Sequence, residues 1–156
     1  MDLIQQQLEC HGKIIEEVMM LDRITKDIKS LFGKNLISIV LFGSCAAGRQ
    51  EDTSDIDILV VADNLPSSRK EKSEMIFSIS KKYLLRGKTV SIILRSGEEI
   101  KNGFEYYNPL LLSISENYKL LYDQERFFLS LMKDIKNKIA RKEIQKFADF
   151  SWRIAV

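Results

Sequence analysis

Two short apolar runs constrain this chain more than anything else in it. Leu36–Phe42 (LISIVLF) and Ile56–Ala62 (IDILVVA) are rich in β-branched residues, and each carries a single polar side chain. Runs of this kind form strands buried on both faces, and such strands need helices packed on either side. An α/β (α+β) domain follows. Gly43-Ser44 closes the first run, ten residues intervene, and Asp55 and Asp57 open the second. So short an excursion predicts an antiparallel pair and therefore a small mixed sheet flanked by helices, not a doubly wound parallel one.

The remaining elements fall around these two strands. Ile14, Ile15, Val18, Leu21, Ile24, Ile28 and Leu31 recur three or four apart, which predicts a helix over 14–31 with that stripe buried, and Gly33 stands where a C-cap glycine belongs. Pro66-Ser67-Ser68 opens a second helix with Ile76, Ile79 and Tyr83 inward, and Gly87 stops it. A third strand is expected at 89–94, a short helix at 109–117 and an edge strand at 119–122. A long helix is expected from 124 to about 150, with Phe128, Met132, Ile135, Ile139 and Phe147 on one face. With 156 residues the chain has room for one domain. It divides into a core over about 34–123 and helical extensions at 1–33 and 124–156.

Composition excludes rather than selects. A net charge of +2, with 45% hydrophobic and 29% charged residues, does not demand a polyanionic partner. Cys10 and Cys45 show no framework spacing, which fits a reducing cytoplasmic setting. The first residues lack the apolar stretch of a signal peptide, and no run approaches the roughly 18 apolar residues of a membrane span.

The chemistry lies in the turn between the two runs. Asp55 and Asp57 alternate along a strand and so project to one face. Adjacent carboxylates repel unless a cation sits between them, and Mg²⁺ suits a site of two carboxylates, waters and substrate phosphates. Two such ions can flank an in-line phosphoryl displacement. Gly43 lets backbone approach a phosphate, and the Ser44 hydroxyl with the amides after it supplies donors. Gly43 to Gly48 also fits the first half of a P-loop, but Arg49 and Gln50 stand where that motif needs Lys and Ser or Thr, and no room remains for its helix.

Gly43-Ser44, ten residues and then Asp55-Ile56-Asp57 resembles the signature of the polymerase-β-type nucleotidyltransferase superfamily. In size and motif order the chain is similar to its minimal, antitoxin-like members. The resemblance implies that Gly43 and Ser44 bind the NTP and that Asp55 and Asp57 are the catalytic, Mg²⁺-ligating pair, with two ions in a fully active site. It implies transfer of NMP, usually AMP from ATP, to an acceptor hydroxyl, and among such acceptors are helical partners such as a HEPN-type toxin. The pattern departs from the family at two places. Ser91 stands where a third carboxylate is usual, with Glu98 and Glu99 the nearest acids in sequence. Ala47 stands where many relatives carry arginine, with Arg49 adjacent.

Other residues have plainer readings. His11, the only histidine, is expected at an exposed structural position. Cys45 reads as a small turn residue. Lys133, Lys136, Lys138, Arg141, Lys142 and Lys146 form either a solvated helix face or a surface for nucleic acid. Tyr106-Tyr107 read as packing or as the wall of an acceptor pocket, and Met19-Met20 as core or partner surface. A catalytically degenerate, NTP- or partner-binding protein and a nucleic-acid-binding accessory subunit are the alternatives to an enzyme.

Overall fold

A computed structural model describes residues 3–49, 54–147 and 151–154, with side chains from residue 12 onward. Four strands form the main sheet: β1 (Leu36–Phe42), β2 (Ile56–Ala62), β3 (Val90–Arg95) and β4 (Lys119–Asp123), in the order β3-β2-β1-β4. β1 runs antiparallel to both β2 and β4, while β2 and β3 are parallel. The sheet is therefore mixed, with β4 at its edge, as the short β1–β2 excursion predicts.

Alternation along the two central strands gives the sheet two cores. Ile39, Leu41, Ile58 and Val60 face one side, where α1 (Leu3–Phe32) contributes Ile24, Ile28 and Phe32, and α3 (Arg69–Leu84) contributes Ile79 and Tyr83. Val40, Leu59 and Val61 face the other, covered by Ile100 and Phe104 of α4 (Gly97–Glu105), Leu111, Leu112 and Ile114 of α5 (Pro109–Glu116), and Phe128, Met132 and Ile135 of α6 (Phe127–Ala140). Each large side chain so buried contributes about 1.5–3 kcal/mol. The local signals that start these helices are visible. Ser68 caps α3 by accepting from the Glu71 amide, Ser96 and Glu99 form a capping box on α4, and Asn108 with Pro109 starts α5.

Three expectations need correction. α1 is a 30-residue helix, and its stripe is buried only from Ile24 onward; Ile14, Ile15, Val18 and Leu31 are exposed. Of residues 12–19 only Glu17 is part-buried. The tail is not one helix to 150. α6 stops at Ala140, Lys142 adopts φ 60°, and the chain forms a two-stranded hairpin from β5 (Ile144–Lys146) and β6 (Trp152–Ile154). Phe147 therefore lies beyond β5 rather than on the helix, and the C-terminal extension is helix plus hairpin. Between β3 and β4 there are two helices, not one. The side chains of Cys10 and His11 and the residues 50–53 of the polar turn lie outside the described residues.

Candidate active site

Phe42 ends β1 in extended conformation, and Gly43 turns the chain at φ 72°, a left-handed backbone that L side chains resist. A four-residue helix follows, α2 (Gly43–Ala46), closed by the Ala47 amide on the Gly43 carbonyl at 3.2 Å. The first-turn amides of so short a helix have no intrahelical partners, which leaves donors at the turn. No P-loop helix follows. Cys45 anchors α2 by burying its side chain in the α1/α3 core, and its Sγ lies 3.4 Å from the Asp55 carbonyl oxygen. That contact brings the Gly-Ser turn and the start of β2 together.

The register does the rest. Asp57 pairs with Phe42, the residue before Gly43, and a Cβ at Gly43 would collide with the Asp57 carboxylate. Glycine is thus needed there twice, for its backbone and for the space it leaves. By strand alternation Asp55 and Asp57 share the face of Leu59 and Val61, toward the α4–α6 side. Asp55 is exposed and Asp57 half-buried. Burial, and then the charge of Asp55, hold the Asp57 carboxyl above the usual carboxylate range. This is the repulsion that a bound cation relieves.

Ser91 is opposite Asp57 in the parallel β2–β3 register, and it is exposed. The structure thus brings together Gly43, Ser44, Asp55, Asp57 and Ser91. It does not bring in Glu98 or Glu99. Both follow the far end of β3, where Glu99 accepts from the Ser96 amide at 2.7 Å and Glu98 lines a cleft of about 660 Å³ with Lys34, Asp63, Lys101 and Glu125. Among the described residues no three Asp, Glu, His or Cys side chains cluster to hold a metal. The donor set therefore fits an ion held by two carboxylates and completed by water and phosphate, the way Mg²⁺ commonly binds.

Sequence reasoning misses Lys88. It precedes Thr89, whose carbonyl accepts the Ile56 amide at 2.9 Å, and so stands beside the Asp55 end of β2; its charge also reaches Cys45. The only sequence signal is its place at the entry to β3. Burial, Glu17 and Asp57 push the Cys45 thiol up, so it is a packing group and not a reactive thiolate. Tyr107 packs in the second core with the Lys138 ammonium 5.1 Å from its ring centroid, while Tyr106 is exposed. The basic tail is partly engaged within the chain: Lys136 stacks on Tyr118, and Lys146 pairs with Glu116 at 2.6 Å. No helix among the described residues is long and apolar enough to cross a membrane.

Comparison with known proteins follows the same lines. The sequence model of the family described as "Nucleotidyltransferase domain" matches residues 21–147. A Methanocaldococcus jannaschii protein named "Putative protein adenylyltransferase MJ1305" is 36% identical over 138 residues, covering 87% of this chain and 92% of that protein. Two solved structures share the fold. One is a toxin–antitoxin with AMP-PNP (TM-score 0.51, 19% identity, 76% of this chain and 89% of that one). The other is a mutant of the MntA–HpeT toxin–antitoxin (TM-score 0.53, 15% identity, 79% and 88%).

Proposed function

The chain belongs to the nucleotidyltransferase domain family, and from that premise we propose that it is an Mg²⁺-dependent adenylyltransferase. It transfers AMP from ATP to a hydroxyl of an acceptor protein and releases pyrophosphate. The observation that carries this reading is that the Asp57 carboxylate occupies the space a Cβ at Gly43 would need, beside Asp55 at the mouth of β2. The name of the M. jannaschii relative supports a protein acceptor, and the AMP-PNP of the toxin–antitoxin structure supports ATP. A small helical toxin of the HEPN type is the acceptor class that this reading favours, and the cytoplasm is its setting.

In the proposed site Asp55 and Asp57 hold the metal, with a second ion if the site is fully active. When bound, Mg²⁺ supplies charge neutralisation for the phosphates and for the oxygens entering and leaving phosphorus. The protein's own groups position and donate. The Ser44 hydroxyl and the α2 amides hold the phosphates, and the open α4–α6 side of Asp57 admits the acceptor. We treat the whole chain, 1–156, as one domain, because α1 and α6 both supply core residues to the sheet.

One observation favours a second reading. With Ser91 rather than an acid opposite Asp57, the site has less charge to hold a second ion, which suits a protein that binds NTP without turnover. Label from [α-³²P]ATP, traced into a HEPN-type toxin in the presence of Mg²⁺, separates the two. Transfer that is lost in Asp57→Asn supports the enzyme, whereas ATP binding with no transfer supports the degenerate reading.

A further inference from the structure

α1 is much longer than the sheet it covers. At 1.5 Å per residue its 30 residues span about 45 Å, while the seven residues of β1 span about 23 Å. Since α1 returns into β1 through the turn at Gly33–Asn35, its surplus length projects past the end of β1 where Gly43 and Asp57 lie. α3 ends near Asp27, which bonds to Tyr83 at 2.8 Å and to Lys82 at 3.2 Å, so residues 12–19 also run beyond α3.

This projecting segment is amphipathic. Ile14, Ile15, Val18 and Met19 are each at least half exposed, and Gly12 stands within the helix just ahead of them. A solitary helix of about 15 residues is marginal in water, and an unsupported glycine makes it weaker. An exposed apolar stripe on such a segment marks a contact surface.

The same chain displays a matching seat. Between α1 and α3 lies a groove of about 510 Å³ lined by Arg23, Asp27, Lys82, Tyr83, Leu85 and Arg86. Leu85, in its lining, is 79% exposed, and Leu84, next to it in the chain, is 60% exposed. The groove carries Arg23, Lys82 and Arg86 against Asp27, with Lys81 and Lys88 nearby in sequence, whereas residues 12–19 carry Glu16 and Glu17 against Lys13. One surface is apolar and acidic, the other apolar and basic, and the projecting segment runs away from its own groove.

We propose that the protein forms a two-fold dimer in which the projecting part of α1 from each copy seats in the α1–α3 groove of the other. An isologous exchange makes the contact twice, with like surfaces kept apart. The proposal stands independently of any transfer activity.

Sedimentation velocity over a concentration series tests it. Wild type should sediment as a dimer. Ile15→Glu with Val18→Glu, and separately Leu84→Glu with Leu85→Glu, should each weaken association about a hundredfold. All four positions are exposed, so the sheet domain should stay folded; circular dichroism should lose at most the signal of the unseated α1 segment, and melting temperature should fall only to the value that wild type shows when diluted to monomer. Mixing the two double variants should recover part of the association, because the mixed pair keeps one α1–groove contact intact whereas each variant alone has both contacts damaged. A monomeric wild type at the highest soluble concentration overturns the proposal. So does an α1 variant that dissociates while the α3 variant remains dimeric, which would mean α1 pairing with α1. Failure of the mixed variants to associate also overturns it.

Discussion

Ser91 sits directly across the β2–β3 ladder from Asp57, on the same face of the sheet. Parallel register fixes the two side chains as neighbours whatever occupies the second position. A carboxylate introduced there enters the proposed metal site without any change of backbone. Ser91→Asp should therefore lower the Mg²⁺ concentration for half-maximal AMP transfer by about tenfold, the effect of one added charged ligand worth about 1.4 kcal/mol. Magnesium titration of transfer at saturating ATP is the measurement. An unchanged Mg²⁺ dependence would mean that Ser91 is not where the second ion would bind.

Gly43→Ala sets a strained φ against a collision. A left-handed backbone costs an L-residue about 1–2 kcal/mol, and the added methyl also displaces the Asp57 carboxylate. The variant should lose at least that much stability in urea unfolding and nearly all AMP transfer. Gly48 is the control, because its φ is 67° but nothing lies within 4 Å of where its Cβ would stand. Gly48→Ala should lose a similar stability and keep most activity.

Asp57 makes stability depend on pH in a definite direction. Its folded-state carboxyl is held above the usual carboxylate range by burial and by Asp55. The folded state thus binds its proton more tightly than the unfolded chain does, whose carboxyl titrates near about 3.9. Stability contributed by the protonated form is present below that value, falls as pH rises through the raised folded value, and remains reduced at neutral pH. Without metal, Asp57→Asn should melt higher than wild type at pH 7, with the advantage shrinking as pH falls toward that of free carboxylates. Mg²⁺ with ATP should raise the melting temperature of wild type and leave the variant almost unmoved. A variant less stable than wild type at neutral pH contradicts this account.

Asp123 joins β4 to α6. Its Oδ1 accepts from Ser38 Oγ at 2.6 Å and the Phe128 amide at 2.9 Å, and its Oδ2 accepts from the Leu129 amide at 3.0 Å. Ser38 is fully buried. Asp123→Ala removes the cap of α6 and strands the Ser38 hydroxyl, a loss of about 2–4 kcal/mol. Chemical unfolding should show it as a shift in midpoint. A single transition by both fluorescence and circular dichroism would accompany it if 1–156 is one domain.

The parts of the fold legible in the sequence are those set by local chemistry. β1 and β2 are apolar on both faces, so their bounds follow from where the polar residues resume. Ser68 and Pro109 mark helix starts because capping and fixed φ act within one turn. The exposed stripe of α1 is not legible, since periodicity shows which residues share a face but not whether anything lies beneath it. The end of α6 is hidden because Ile144 and Phe147 continue the apolar spacing, while the positive φ of Lys142 breaks the helix without a glycine or proline to announce it. At the candidate site, the Gly-Ser and Asp-x-Asp spacing picks out residues that the β1–β2 register brings together, and Ser91 is recognisable by position along β3. That Glu98 and Glu99 cannot replace it follows only from the direction in which β3 runs.

The antiparallel pairing of β1 and β2 has a consequence for how the protein acquires its site. Gly43, Ser44, Asp55 and Asp57 lie within one short loop and the ends of its two strands, so their meeting requires closure of a small loop and no distant contact. Contacts this local cost less loop-closure entropy than those that bring in β3 and β4 from farther along the chain. The glycine–serine turn and the acidic pair therefore need only the first hairpin to meet. A substitution at Gly43 or Asp57 disturbs a junction that a single hairpin supplies.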